Sequence, residues 1–364
     1  MTIYYERSDG INKMSKQLLI CAMIFCVADT KAWSAKDCAD FFSADYFFCE
    51  YMTKHGKIYT VDTWRQKEVN VKESLTYVRS HNAQNILDYE LQLTSMSDLL
   101  HSDFVKNRLT PVKKEKVNGR KLGQSREIDK IQAYLKSHYT PKSFDWRTNS
   151  HMTPVSTQGK CGSCFAIVAA EMMDWWGDKL RTVPSNATSS VQQLMDCSSD
   201  EFPNDAERCL GSVMEYPLRY AKENRVWHDR DYMYEAHDDI CKHKRPPYKT
   251  LHPENMHHTG QYDEPDLNLY LPAYIYHFGP IGVSFDASDR HFQHLGKGIY
   301  TPHRCSNTNV NHAVLVVGYT SQYYIVKNSW GPHYGENGYF KVKRGRNLCG
   351  MLEVVSVVTN AKMR

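Results

Sequence analysis

Charge of one sign is scarce in this chain. Its 45 Lys and Arg are set against 41 Asp and Glu, a net +4 over 364 residues. So small an excess gives no reason to expect nucleic acid, which demands a strongly basic face. Long apolar runs are also missing. The stretch Leu18 to Ala28 is the nearest to one, and it falls well short of the ~20 residues that a helix needs to cross a bilayer. No membrane span is therefore expected in the mature form. Internal repeats and low-complexity tracts are absent. So are recurring CxxC units with histidines at zinc spacing, so neither a metal site nor any other cofactor is expected.

What is present is cysteine, eleven of them. An intracellular protein seldom carries so many without metal-type spacing, so the count points to an oxidising compartment. Export is supported by the start of the chain. From Met14 it reads Met-Ser-Lys-Gln, then the apolar run, then small residues near Ala32 and Ser34. This fits a signal peptide over residues 1–32, with translation starting at Met1 behind a long polar region or at Met14. A buried core helix is the competing reading of the same run. Asn186-Ala-Thr is a glycosylation sequon compatible with export.

Residues 38–100 are rich in aromatics and helix formers. Trp64, Val71, Leu75 and Val78 share one helical face. Asp62 or Thr63 is placed to cap that helix, and His55-Gly56 to break the chain before it. Between 105 and 131 the character changes. Lys113, Lys114, Lys116, Arg120 and Lys121 cluster with Gly119 and Gly123, the composition of an exposed linker, either a processing site or a plain solvated loop. From about Thr140 the chain reads as one compact domain. A buried helix should start at Cys164 and stop near Gly177. Four β-rich runs follow: Val314 to Tyr319, Tyr323 to Val326, Tyr339 to Val342, and Glu353 to Val358. A helical half precedes a sheet half.

Three motifs carry chemistry. The first is Gln158-Gly-Lys-Cys161-Gly-Ser-Cys164-Phe-Ala. A cysteine at a helix start gains from the partial positive charge there, which favours the thiolate, and the thiolate is the attacking form. The second is Asn311-His312-Ala-Val-Leu-Val-Val-Gly-Tyr, and the third Lys327-Asn328-Ser-Trp330-Gly. A cysteine nucleophile needs a base to take its proton and a group to orient that base, and histidine with asparagine supplies both. Cys161 and Cys164 also form one CxxC, so a thiol–disulfide oxidoreductase is a rival reading. It requires Cys161 to be free.

Taken together these motifs resemble the papain family of cysteine proteases, in its cathepsin L-like branch. His312 lies 148 residues after Cys164, within the family spacing, and Asn328 lies 164 after it, somewhat beyond. Further landmarks stand in family order from Lys36 to Val358. They include Asp145-Trp146-Arg147, Gln192 to Cys197, Gly279-Pro280, Gly335 to Tyr339, and Cys349-Gly350. Phe165 stands where the signature has Trp or Tyr. Tyr334 stands where the family has a second tryptophan. Ser212 replaces the second glycine of a pair, which weakens the inference on cleft geometry if that site needs φ > 0.

The resemblance implies an α+β fold of two lobes, one helical and one a barrel-like sheet, with the cleft between them. It implies a cysteine endopeptidase made as a zymogen, with an inhibitory propeptide over 33–139 and a mature domain over 140–364. No insertion obviously blocks one end of the cleft, which argues against exopeptidase action. Cys164 would be the nucleophile, His312 the base and then acid, Asn328 the orienting group, and Trp330 a shield for that contact. Gln158 and the Cys164 amide would form the oxyanion hole. The pocket for the second residue before the cut would comprise Gly211, Ser212, Val213, Met214, Ser284, Ala313 and Val354, with Glu353 one residue from its base. Disulfides Cys161–Cys209, Cys197–Cys241 and Cys305–Cys349 are implied, with Cys38 and Cys49 as a further candidate pair.

Partners would be protein and peptide substrates, the chain's own propeptide and cystatin-type inhibitors, acting on a monomer in the lysosome or extracellular space. In the upstream region Lys54 to Tyr59 and His81-Asn82 match the family propeptide well. Its helix signature is degraded at Thr63, Lys67, Val71, Ser74 and Val78, and its strand motif at Gln92, Thr94, Met96 and Asp98. An unrelated N-terminal helical domain is the alternative there. A papain-fold protein without activity, serving as a secreted binding module, is the alternative for the whole, although it would normally lack one of Gln158, Cys164, His312 and Asn328.

Overall fold

The computed structural model describes residues 38, 45–60, 62–111, 133–148, 152–179, 188–201, 208–242, 256–259, 267–302, 304–345 and 347–358. The expected signal peptide, most of the basic linker and the Asn186 sequon lie outside these residues. The chain divides into two compact units, 1–73 and 74–364.

In the first unit, helix α1 (Tyr46–Lys54) is capped by Asp45, whose carboxylate accepts from the Phe47 amide at 3.0 Å. It ends at His55, and Gly56 follows at φ +58°, the left-handed conformation in which glycine meets no Cβ penalty. A disulfide joins Cys38 to Cys49, and both cysteines are buried. Helix α2 (Trp64–Gln84) begins in this unit and continues into the second. Of its expected stripe, Trp64, Val71 and Val78 are buried and Leu75 half-buried. The Thr63 hydroxyl turns back to Thr60, bonding its hydroxyl at 2.8 Å.

The second unit opens with a segment that wraps back on the rest of the unit. Strand β1 (Tyr89–Leu91) is followed by helix α3 (His101–Arg108). Asn82 near the end of α2 mimics a strand partner for Leu91. Its side chain accepts from the Leu91 amide and donates to the Leu91 carbonyl, both at 2.9 Å. Residues 105–111 are not the start of an exposed linker, as composition suggested. Leu109 is buried, and the Thr110 amide donates to the Asn311 carbonyl at 3.0 Å. The basic cluster that gave the linker its character begins only beyond them.

Helix α4 (Cys164–Lys179) is buried on all sides from Cys164 to Gly177. Its apolar run carries only two charged residues before Gly177, Glu171 and Asp174, and both are buried, so it sits at the centre of the domain. It extends two residues past Gly177. Helices α5 (Val191–Glu201) and α6 (Glu215–Glu223) pack beside it and complete the helical lobe. Helix α7 (Leu267–Phe278) leads into the sheet lobe.

Among the described residues that lobe is a nine-stranded sheet in the order β1-β5-β8-β7-β6-β4-β9-β3. Its further strands are β3 (Met256–Thr259), β4 (Ile281–Phe285), β5 (Leu295–Tyr300), β6 (His312–Tyr319), β7 (Tyr323–Lys327), β8 (Tyr339–Lys343) and β9 (Val355–Val358). The short β2 (Phe144–Asp145) pairs with β6 off this path. The pairings are antiparallel except β5–β8. Strand β6 is buried along its whole length, as expected for a central strand of Val and Leu. Strand β1 joins the sheet antiparallel to β5, so the 74–111 segment extends the sheet lobe by one strand. Between Phe285 and Leu295 lies the short helix α8 (Arg290–Gln293).

A single buried ion pair ties helix to sheet. Lys327, with no exposed side-chain surface, places Nζ 2.7 Å from the Glu171 carboxylate and 2.8 Å from the Thr153 carbonyl. The helical lobe and the sheet lobe together make a two-lobed α+β fold.

Candidate active site

Cys164 is the first residue of α4 and the only free cysteine among the described residues. The others there pair as Cys38–Cys49, Cys161–Cys209, Cys197–Cys241 and Cys305–Cys349. Cys161 is thereby held in a disulfide, which removes the exchange partner that the oxidoreductase reading needs. The amides of Ala313, Phe165 and Cys164 itself act on the Cys164 sulfur and favour its thiolate, yet burial outweighs them and pushes the thiol up to about 11.

His312 opens β6, and Asn328 follows the end of β7, the neighbouring strand. The antiparallel pairing brings the two side chains together: His312 Nε2 lies 2.9 Å from Asn328 Oδ1. The Ser329 amide also donates to Asn328 Oδ1, at 2.8 Å. The other imidazole nitrogen, Nδ1, is buried and has no hydrogen-bond partner. Trp330 stacks on the ring, with centroids 4.8 Å apart and planes 25° apart. Burial lowers the imidazole pKa to about 4 against the bond to Asn328, which favours the protonated form.

Gln158 is buried, and all but one of its polar groups are engaged. Its Oε1 accepts from Ser329 Oγ at 2.8 Å and Trp330 Nε1 at 3.0 Å. Its Nε2 donates to the Cys161 carbonyl at 2.9 Å, which leaves one amide hydrogen uncommitted. Its own amide donates to the Ser329 carbonyl at 2.9 Å. Tyr334, in place of a tryptophan, is buried with its ring edge-on to Trp330 at 4.9 Å and its hydroxyl on the Phe292 carbonyl at 2.8 Å. The smaller ring thus fills its place and satisfies its polar end.

Of the expected pocket residues, Ser284 pairs with Ala313 across β4–β6. The Ser284 hydroxyl donates to the Gly350 carbonyl at 2.6 Å and accepts from the Val354 amide at 3.0 Å. Ser284, Ala313 and Val354 therefore adjoin. Met214 reaches the same strand from the helical lobe, its sulfur against Gly282. Glu353 accepts from Asn347 at 2.8 Å. Gly211 has φ +91°, whereas Ser212 is not among the residues with positive φ, so serine is accommodated there without strain.

The cleft is not open. Thr110 packs so tightly on Gly162 and Gly211 that a Cβ at either would lie about 2.5 Å from its side chain. Its amide holds Asn311, the residue before His312. Phe104, fully buried, sets its ring edge-on to Trp330 at 5.5 Å. The 74–111 segment thus runs between the helical lobe at Gly162 and the sheet lobe at Asn311. Sequence reasoning missed Thr110 and Phe104, because no motif marks a residue whose role is to fill a cleft built by distant strands. It also missed Ser329, which lay inside a quoted motif. Among the described residues no group of His, Cys, Asp or Glu is arranged to hold a metal ion, and no helix is long and apolar enough to cross a membrane.

A thiol at a helix start, an imidazole held by an asparagine across the cleft, and a segment lying through that cleft define a cysteine protease with its inhibitor attached. The family model described as papain family cysteine protease matches residues 140–359, and the chain belongs to that family. It is cathepsin L-like, and residues 48–104 match the cathepsin propeptide inhibitor domain. The chain is 32% identical to "Cathepsin L" of Sarcophaga peregrina, over 85% of this chain and 91% of that one. It is 31% identical to "Cathepsin L-like peptidase" of Aedes aegypti, over 84% and 90%. Among solved structures, digestive procathepsin L2 proteinase from Tenebrio molitor larval midgut superposes with a TM-score of 0.69 at 27% identity, covering 85% of this chain and 98% of that one.

Proposed function

We propose that the chain is a cysteine endopeptidase zymogen of the secretory pathway, with Cys164, His312 and Asn328 as its catalytic residues. One observation carries the reading: Asn328 fixes His312 at Nε2 while Nδ1 stays buried and unbonded, and Cys164 is the one free thiol among the described residues. Nδ1 is therefore the nitrogen available to the thiol.

In the active form the Cys164 proton resides on His312 Nδ1. The thiolate attacks the substrate carbonyl carbon, and the oxyanion takes the free Gln158 Nε2 hydrogen and the Cys164 amide. His312 gives its proton to the leaving amine as the C–N bond breaks. It then takes one from a water that attacks the thioester, which frees the acid and restores the thiolate.

The covered cleft supports a zymogen. Burial opposes both the thiolate and the imidazolium in this state, so the pair is held neutral until the segment leaves. Residues 33–139 would be the propeptide and 140–364 the mature enzyme, behind a signal peptide over 1–32. The processed enzyme would act as a monomer on internal peptide bonds, in a lysosome or outside the cell. Cystatin-type inhibitors would compete for the cleft, and Asn186 would carry glycan. The test is labelling with a thiol-directed epoxide before and after acid processing, with peptide turnover followed in parallel. Labelling at Cys164 and reductant-dependent internal cleavage should both rise on processing. A processed chain that labels but cleaves nothing would favour a non-catalytic relative of the fold.

A further inference from the structure

Ser163 stands immediately before α4, and the Ala166 and Ile167 amides donate to its carbonyl, so it is the helix N-cap. An N-cap serine ordinarily turns its hydroxyl onto an amide of the first turn. Here the Ser163 hydroxyl goes elsewhere, to the Tyr234 hydroxyl at 2.5 Å. Tyr234 in turn donates to the Gln158 carbonyl at 2.8 Å. A phenol has one hydrogen. Once it is spent on Gln158, the serine must be the donor in the first bond, and its direction is fixed.

This short relay has two consequences at the site. With the Ser163 hydroxyl turned to Tyr234, the Cys164 amide at the helix start stays available to an oxyanion. The relay also ties the main chain of Gln158 to that of Ser163, the residue before Cys164. These are the two places from which the oxyanion donors hang. The mount for Tyr234 is firm. The adjoining Glu235 amide donates to Gln192 at 3.0 Å, and the Tyr232 hydroxyl donates to Asp196 at 2.9 Å. Ala236 packs on Gly159, beside Gln158.

We propose that Tyr234 is a positioning residue of the oxyanion hole, its hydroxyl setting the spacing between the Gln158 side-chain donor and the Cys164 amide by bridging Gln158 and Ser163. The inference rests on the peptidase reading above. Because the Tyr234 hydroxyl bonds Gln158 and Ser163 and not the thiol, its loss should be felt mainly where negative charge develops. Removing an oxyanion donor outright typically costs 10²–10³ in kcat, so loosening two donors should cost less, roughly 10-fold.

The test compares the processed wild type with Tyr234→Phe and Ser163→Ala. Tyr234→Phe should lower kcat about 10-fold and leave KM within about 2-fold. It should weaken a peptide aldehyde, whose adduct places an oxyanion in the hole, by a similar factor. Alkylation of Cys164 by iodoacetamide, which forms no oxyanion, should change by less than about 2-fold, and the melting temperature should hold. Ser163→Ala should show a smaller loss of the same pattern, with Ser163→Thr restoring it. An active wild type matched by Tyr234→Phe in both kcat and aldehyde affinity overturns the proposal alone. So does a loss shared equally by KM and alkylation. A processed wild type that neither turns over peptide nor binds the aldehyde overturns the peptidase reading, and this proposal with it.

Discussion

The two halves of the site are built by different means. On the helical side Gln158, Ser163 and Cys164 lie within seven residues, and local turns, the Cys161–Cys209 disulfide and the start of α4 hold them. On the sheet side His312 and Asn328 are 16 residues apart, and the β6–β7 register brings them together. The first half is continuous in the chain, and bonds from Tyr234, Ser329 and Trp330 complete its support. The second exists only while the strands are in register. A one-residue slip would turn either side chain to the opposite face. The comparison teaches that the nucleophile side combines a disulfide and local turns with a few long-range bonds, whereas its base depends on the register of the sheet.

The largest expected effects test whether the halves act as a unit. Cys164→Ala and His312→Ala should each lower kcat by roughly 10⁴-fold or more, and the double variant should cost little beyond either alone. Asn328→Ala should cost about two orders of magnitude less than either, because it only orients the ring. Steady-state turnover of the processed proteins decides this; additive losses would mean that the halves work independently.

Next comes the bond between the lobes. Lys327→Met leaves Glu171 buried without its cation and should destabilise the fold by about 3–5 kcal/mol. Replacing both members with apolar residues of similar size should recover most of that loss. Urea melts of the three proteins would show whether the ion pair or only the packing joins helix to sheet.

The covering segment should respond to acid from the sheet side. His294 bonds Ser97 of the segment at 3.1 Å, and burial, with Arg290, His101 and His291 adding, lowers its pKa to about 3. On release the value returns toward the ordinary 6.5. The docked state therefore binds fewer protons. Docking is at full strength above pH 6.5 and weakens as pH falls, by up to about 1.4 kcal/mol per pH unit. Between pH 6.5 and 4.5 the epoxide should label Cys164 of the full chain progressively faster. His294→Gln should flatten that rise. An unchanged slope would assign the trigger to other groups.

The smallest effect concerns the pocket proposed for the second residue before the cut, with Met214 on the helical side and Ser284, Ala313 and Val354 on the sheet side. Met214, Ser284, Ala313 and Val354 present no carboxylate, and Glu353 bonds Asn347. A basic side chain would lose hydration there without a partner, while an apolar one gains about 25 cal/mol per Å² buried. Leu, Val or Phe should be preferred over Arg at the second position before the cut in a positional peptide library. Val354→Glu should shift that preference toward Arg by about 10-fold.

Chemistry was the most legible part of the chain. Cys164 announces itself because a helix start, a CxxC spacing and a buried run coincide within a few residues. The runs that became β6, β7, β8 and β9 were also readable, since their Val- and Tyr-rich composition is local. Strands β1, β4 and β5 were not read. Tyr89–Leu91 is only three residues long, and Ile281–Phe285 and Leu295–Tyr300 carry glycines that read as turns. The 105–111 stretch was misread because its polar composition hides Leu109, which is buried, and Thr110, whose amide bonds the distant Asn311.

By itself the sequence determined which residue types stand at the site, the order in which they occur, and that a cysteine-rich chain with few structural liabilities would build one helical and one β-rich half. Those are properties of composition and of neighbours within a turn or two. Only the tertiary structure decided that Thr110 occupies the cleft, that Tyr234 bridges Gln158 to Ser163, and that His312 keeps one nitrogen free. Each of these depends on groups brought together across a long sequence separation by packing and strand register, and no local pattern encodes which distant hydrogen-bond partner a buried hydroxyl or ring will find.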